Sequence, residues 1–264
     1  MIANKSKKVT FIVVFFCAYF AFCDCAFVDT LQKCQPDDIN CVKKLIKDVI
    51  VGISTTGVPE YDIPPIDPMH LKNIKVNAFD VSELTITEGE LKGLKNCEII
   101  DAKVHIDKGN AKLKMLCDVT AKGKYEVSGS SPALKELLGA ESIRGKGNFK
   151  VKVEKLLITY GSKFNVVNRD GKIFIDSKKD TIKYDFDLQG TSQLTLDNLF
   201  IGNTDSSKLV MDYYNQNYKS LWKDFSKKLL GPAVDIAYDL MSKFFQFVET
   251  KYYIIGDLDK YVKN

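Results

Sequence analysis

The chain has 264 residues, 45% of them hydrophobic and 27% charged, with 38 basic against 34 acidic side chains and a formal charge of +4. Three of those lysines, Lys5, Lys7 and Lys8, open an N-terminal leader pattern, so the remainder is close to neutral. That balance supplies no overall basic surplus of the kind that phosphate-backbone binding concentrates on one face, and nucleic acid is not expected as a partner.

The leader reads as a basic start, an apolar run from Val9 to Phe22 and a small-residue signal at Ala21, Phe22 and Cys23. Cleavage after Cys23 is predicted, with Cys25 or Ala26 as alternative positions. This makes residues 1–23 a signal peptide and residues 24–264 a single secreted, extracellular domain. An uncleaved anchor is disfavoured, because about 14 apolar residues fall short of the roughly 20 needed to span hydrocarbon. No stable membrane insertion is expected. The one N-glycosylation triplet, Asn4-Lys5-Ser6, leaves with the leader.

Cys17 and Cys23 leave with the leader and Cys25 depends on the exact cut, while Cys34, Cys41, Cys97 and Cys117 remain as an even set in an oxidising compartment. Of the three pairings, Cys34 with Cys41 is favoured, since Pro36, Asp37 and Asp38 turn the chain into a helix capped by Asp37 or Asp38. Cys97 with Cys117 is then the remainder. A tight turn at Lys108 and Gly109 would place Cys97 opposite Thr120, so that bridge requires a bulge or a longer loop. Zinc is the competing use, but no CxxC or HxxxH spacing supports it, and neither a metal nor a cofactor is expected.

From Ile39 to Ile53, Val42, Leu45, Ile46, Val49 and Ile50 recur at helical spacing. A proline-rich stretch to Met69 forbids regular ladders. Alternation then dominates to about Leu196. Ile100, Ala102, Val104 and Ile106 face Ala111, Leu113, Met115, Cys117, Val119, Ala121, Tyr125 and Val127 on one apolar side; Asp101, Lys103, His105, Lys112, Lys114, Asp118 and Lys122 take the other. Further alternation appears at Ile74, Val76 and Ala78, at Phe149, Val151 and Val153, and at Ile182, Tyr184, Phe186 and Leu188. Gly145 and Gly147 read as strand glycines permitting sharp curvature, since no helix follows them to make a phosphate loop.

From Ser206 to Val248 apolar residues recur every three or four positions: Leu209, Val210, Tyr213, Tyr214, Leu221, Trp222 and Phe225, then Val234, Ile236, Leu240, Met241, Phe244, Phe245 and Phe247. Gly231 and Pro232 interrupt the pattern, predicting a kink or two consecutive helices. The expected fold is α+β: a long, strongly curved antiparallel sheet wrapped around a long C-terminal helix.

No catalytic constellation emerges. A nucleophile needs a histidine or comparable base, yet His105 falls on the polar side of a strand and His70 follows a proline turn. Asp37 and Asp38 suit a helix start. Lys219, Lys223, Lys227 and Lys228 form a helix stripe that reads first as a solvated face and second as a contact for anionic membranes or a receptor.

Taken in order, Cys34 to Cys41, Gly57-Val-Pro-Glu60, Ile63-Pro-Pro-Ile-Asp-Pro68, Gly145-Lys-Gly147, Leu196-Asp-Asn-Leu-Phe200 with Gly202, and Asn215-Gln-Asn-Tyr-Lys-Ser-Leu-Trp222 resemble the insect juvenile hormone binding protein and takeout family. The resemblance covers essentially the whole chain after the leader. It implies a tubular lipid-binding fold of the super-roll type and a secreted, non-enzymatic carrier of terpenoid or other hydrophobic ligands, with takeout-like roles in feeding, sensory or circadian physiology. Cys34 and Cys41 match that family's N-terminal disulfide. Cys97 and Cys117 depart from the hormone carriers' second bridge, which favours a takeout-like member, and Tyr218 replaces the usual tryptophan after the asparagine pair, a further departure from the hormone-binding pattern. The expectation is a monomeric carrier whose ligand enters between sheet and helix, lined by Val151, Val153, Tyr160, Leu229, Val234, Leu240, Phe244 and Phe247, with Tyr160 offering its hydroxyl to an oxygenated ligand.

Overall fold

The computed structural model describes residues 27–79, 82–130, 132, 135, 136 and 139–263. The leader expected over residues 1–23 lies outside them. The chain divides into two units, Met1–Thr30 and Leu31–Asn264. In the first, Phe27–Thr30 forms one 3-10 turn closed by Thr30 Oγ1 donating to the Phe27 carbonyl at 2.7 Å.

The second unit opens with α1 (Ile39–Gly52). Asp38 caps it, accepting the Cys41 N–H at 3.0 Å, and the turn before the cap is fastened by a Cys34–Cys41 disulfide with its α-carbons 5.6 Å apart. The proline-rich stretch follows as an irregular connection containing a Val58–Ile63 bridge and a cis Asp67–Pro68 bond. The buried Asp67 carboxylate accepts the N–H groups of Gly93 and Lys95, so it ties this connection to the turn that joins the second and third strands of the sheet.

The sheet has nine strands among the described residues: β1 (Met69–Phe79), β2 (Ser82–Lys92), β3 (Glu98–His105), β4 (Asn110–Ser130), β5 (Ser142–Arg169), β6 (Lys172–Leu188), β7 (Ser192–Leu196), β8 (Leu199–Ile201) and β9 (Thr204–Asp205). Two of them form its spine. With 21 and 28 residues, β4 and β5 would run roughly 70 and 90 Å if straight. They pair antiparallel along most of their length. On β4's other edge lie β2 and β3, and on β5's lie β6, β7 and β8.

Bulges interrupt the ladders at Ile86/Glu88, Ile99/Asp101, Cys117/Val119 and Gly161/Lys163. Each bends its strand and adds twist. The long ribbon therefore curves around the helix, and the sheet is not closed into a barrel.

Two local departures settle the second disulfide. The β3–β4 connection is a four-residue turn, Ile106 to Gly109, so His105 pairs with Asn110, and a bulge at Ile100 shifts the ladder once more. Cys97 is thereby carried opposite Cys117 instead of Thr120, with α-carbons 4.4 Å apart and the sulfurs bonded. The same bulge corrects the alternation: Ile99 is buried, while Ile100, expected on the apolar side, is 38% exposed.

Gly145 and Gly147 lie within β5, where the backbone of Asp197 and Asn198 approaches closely. A Cβ on Gly147 would meet the Asp197 carbonyl at 2.2 Å.

The long helix, α2 (Ser207–Phe247), runs uninterrupted through Pro232. The second of the two sequence alternatives, consecutive helices, is not what forms, since one proline removes only a single amide donor from a helix held along its length by the sheet. At 41 residues it is about 60 Å long, and it packs on β6, β7 and β1. Of the pairs expected to be apolar-facing at its start, Val210 and Tyr214 turn inward, whereas Leu209 and Tyr213 are exposed. The tail returns to the body through parallel bridges of Ile254 with Cys34 and of Val262 with Val166.

Candidate functional site: the interface between helix and sheet

Buried clusters occupy the two ends of the helix–sheet interface. Tyr125, Val127 and Leu199 with Phe149, Leu196 and Val210 fill one end; Ile106, Phe164, Val166, Ile175 and Leu258 with Ile173 and Phe245 fill the other. Between them α2 is stitched to the sheet by polar contacts that fix which face looks inward. Asn215 grips the Leu194 backbone, its Oδ1 accepting at 2.8 Å and its Nδ2 donating at 3.2 Å. Tyr214 Oη shares a hydrogen bond with Ser192 Oγ at 2.6 Å and accepts the Trp222 indole N–H at 2.9 Å. Tyr238 donates to the Ser177 carbonyl at 3.0 Å.

Midway, where Gly231 leaves the helix without a side chain, Tyr184 faces it from the β6 end of the row Ala102, Leu113, Tyr160 and Tyr184, cross-strand partners on β3, β4, β5 and β6. A methyl on Gly231 would sit 3.5 Å from the Tyr184 hydroxyl. Phe186 stands beside Tyr184 with ring centroids 5.6 Å apart. Tyr160 carries the anomaly of the site: its hydroxyl oxygen is buried and makes no hydrogen bond of good geometry, the Ser162 side chain lying close enough only to act on it weakly. Burial pushes its pKa up, the Ser162 side chain offsets part of that rise and Tyr238 adds to it, so the group stays a neutral donor. Ser177 Oγ is a second buried hydroxyl without a partner. Polar groups left unpaired in an apolar setting cost roughly 1–3 kcal/mol each.

The expected lining residues distribute unevenly. Val153 is buried and Val151 half-buried on the inward side of β5, in line with Ser192 and Leu194 of β7. Val234, Leu240 and Phe244 are half-buried on α2, and Phe244 packs on Phe245 and Tyr253. Leu229 and Phe247 are corrected: they are 38% and 49% exposed, and Phe247 stacks on Tyr61 instead of turning inward. Both belong to apolar runs in which only one helix side meets the sheet. Tyr184, Tyr238 and Ser177 were missed, although the alternation from Ile182 to Leu188 already marked Tyr184 and Phe186 as sharing a face.

Among the described residues no group of three or more histidine, cysteine, aspartate or glutamate side chains is placed to hold a metal. Likewise, none of their helices is long and apolar enough to cross a membrane.

Comparison with known proteins places this architecture. The crystal structure of Epiphyas postvittana Takeout 1 superposes with a TM-score of 0.73 at 24% identity, covering 86% of this chain and 100% of that one, which establishes the fold. The juvenile hormone-binding protein of Manduca sexta is 32% identical over 90 residues, 33% of this chain and 39% of its own length. Residues 10–254 match the family described as haemolymph juvenile hormone binding protein, and the chain belongs to that family.

Proposed function

We propose that the protein is a secreted carrier that holds a small hydrophobic ligand, terpenoid or other lipid, between α2 and the curved sheet. Residues 24–264 act as one ligand-binding domain after removal of residues 1–23. The observation that carries this reading is the Tyr160 hydroxyl, desolvated and unpaired in a row of apolar and aromatic side chains facing the helix. Half-buried apolar groups there gain by contact with an apolar guest, at roughly 25 cal/mol per Å² removed from water. One oxygen on that guest would complete Tyr160 and orient it.

The lining set is Val151, Val153, Tyr160, Val234, Leu240 and Phe244, joined by Tyr184 and Tyr238. A family whose name records hormone binding supports a binding role in place of catalysis. The takeout-like setting in feeding, sensory or circadian physiology follows the same resemblance. The protein is expected to act as a monomer.

Native mass spectrometry of gently purified protein tests the reading. A copurifying lipid mass, or saturable binding of a fluorescent fatty acid or terpenoid, supports it; a clean apo mass with no such binding sinks it.

A further inference from the structure

The outward charges of the sheet divide into two contrasting regions. Where β1, β2, β4 and β5 meet, they neutralise one another across strands: Lys75 with Glu83, Lys124 with Glu88, Lys122 with Glu90 and Lys146 with Glu126. Across β3, β4, β5 and β6 they do not. One cross-strand row reads Lys103, Lys112, Gly161, Lys183, and the next reads His105, Asn110, Lys163, Lys178. A third adjoining row contributes Lys114, between Asp101 and Thr159. The row on the inward side at this level, Leu113, Tyr160 and Tyr184, faces the helix, so these lysines point away from it and are exposed apart from the half-buried Lys114.

Three of the acidic groups nearby are already engaged, while Asp107 in the β3–β4 turn and Asp180 in the β6 bulge border the patch. Asp101 pairs with Lys103 at 3.3 Å, Asp185 with Lys227 at 3.1 Å and Asp176 with Arg169 at 3.9 Å. Lys112, Lys114, Lys163, Lys178 and Lys183 have no ion pair among the described residues. Like charges set directly opposite on neighbouring strands are destabilising. Gly161 keeps the middle of the patch bare although a Cβ there would fit, its nearest contact being Ala111 O at 3.5 Å.

We propose that this outward face of β3 to β6 docks on the surface of anionic phospholipid bilayers. The patch is broad, two full rows across four strands. Its cations are all lysine. Ammonium groups on flexible stems suit a diffuse layer of phosphate and carboxylate headgroups, whereas a discrete anion or a structured acidic partner is better read by the planar fork of arginine. Attraction of each lysine near such a surface amounts to about a fivefold gain in partitioning, and it is confined to about the Debye length. The proposal is independent of what α2 and the sheet enclose.

Co-sedimentation of the protein with phosphatidylcholine vesicles, with and without one-third phosphatidylserine, tests it. Binding is expected only to the anionic vesicles, weakening as salt rises. The triple reversal Lys112→Glu, Lys163→Glu and Lys183→Glu should lower it by more than about tenfold, and the triple glutamine variant by less. Lys146→Glu, on the self-neutralised region, should change it less than about twofold. Unchanged melting temperatures confirm that the variants fold. Equal binding to both vesicle types, undiminished binding of the triple reversal, loss of binding on adding millimolar inorganic phosphate at fixed ionic strength, or capture by poly-glutamate without capture by vesicles would each overturn the proposal.

Discussion

Cys97 stands opposite Cys117, 4.4 Å away at the α-carbons, only because a four-residue turn and the bulge at Ile100 together move the β3–β4 ladder three places from the register of a tight hairpin. The bridge locks β3 to β4 beside the second bulge, where Glu154 and Lys155 of β5 oppose Asp118 and the two long strands bend. Replacing both cysteines by serine frees a loop of 20 residues, and the chain-entropy estimate puts the loss near 3 kcal/mol. Urea unfolding of the double variant against the native protein measures it.

Tyr160→Phe removes a hydroxyl that has no partner within the protein. Stability without ligand should hold or rise by up to about 1 kcal/mol. Affinity for an oxygenated terpenoid should fall about tenfold, corresponding to one lost hydrogen bond, while a hydrocarbon analogue binds as before. Thermal shift with paired ligands separates these outcomes, because native-state binding raises the melting temperature by mass action.

Two other tyrosines should respond in opposite directions to the same substitution. Tyr253 is buried against Phe244 and Phe245 with its hydroxyl unpaired, and desolvation drives its pKa far up. Tyr253→Phe is expected to be neutral or slightly stabilising. Tyr214 bonds both Ser192 and Trp222, so Tyr214→Phe should cost about 1–3 kcal/mol. Denaturant midpoints for the two variants decide the matter.

Glycine positions offer a steric contrast. Gly147→Ala drives a Cβ to 2.2 Å from the Asp197 carbonyl, which the backbone must move to relieve. A loss above about 2 kcal/mol is expected. Gly161→Ala meets nothing closer than 3.5 Å and should change stability by less than about 1 kcal/mol. Calorimetric melting temperatures suffice to compare them.

The corner between β7 and the start of α2 should open at both extremes of pH. Asp197 is held below its ordinary value of 3.8 by hydrogen bonds from Asn148, and Asp205 below it by those from Ser207. A depressed carboxylate contributes stability above its unfolded pKa and loses it as pH falls through the lower folded one, so the contribution fades below about pH 4. Tyr125, which donates to the Asp197 carbonyl, is pushed up to about 12, mainly by burial and then by the charges of Asp197 and Asp205. Its contribution is full below 10 and disappears as pH rises to 12. Optical monitoring of unfolding over the alkaline range, together with amide exchange at Leu199 and Asn148 in acid, would reveal both edges.

Much of this molecule was written in local pattern. The cap at Asp38, the Cys34–Cys41 turn, the alternation of β4 and the apolar recurrence through α2 depend on neighbours within a few residues, where spacing and side-chain type act directly. The sequence thus determined the classes of element, their order and the need for a long sheet to cover a long helix. Tertiary structure alone decided the rest, because register and facing are set by bulges and by contacts between residues far apart. It turned Ile100, Leu229 and Phe247 outward, carried Cys97 to Cys117, kept Pro232 inside one helix, left the Tyr160 hydroxyl facing α2 unpaired, and aligned lysines from four strands into rows that no single segment contains.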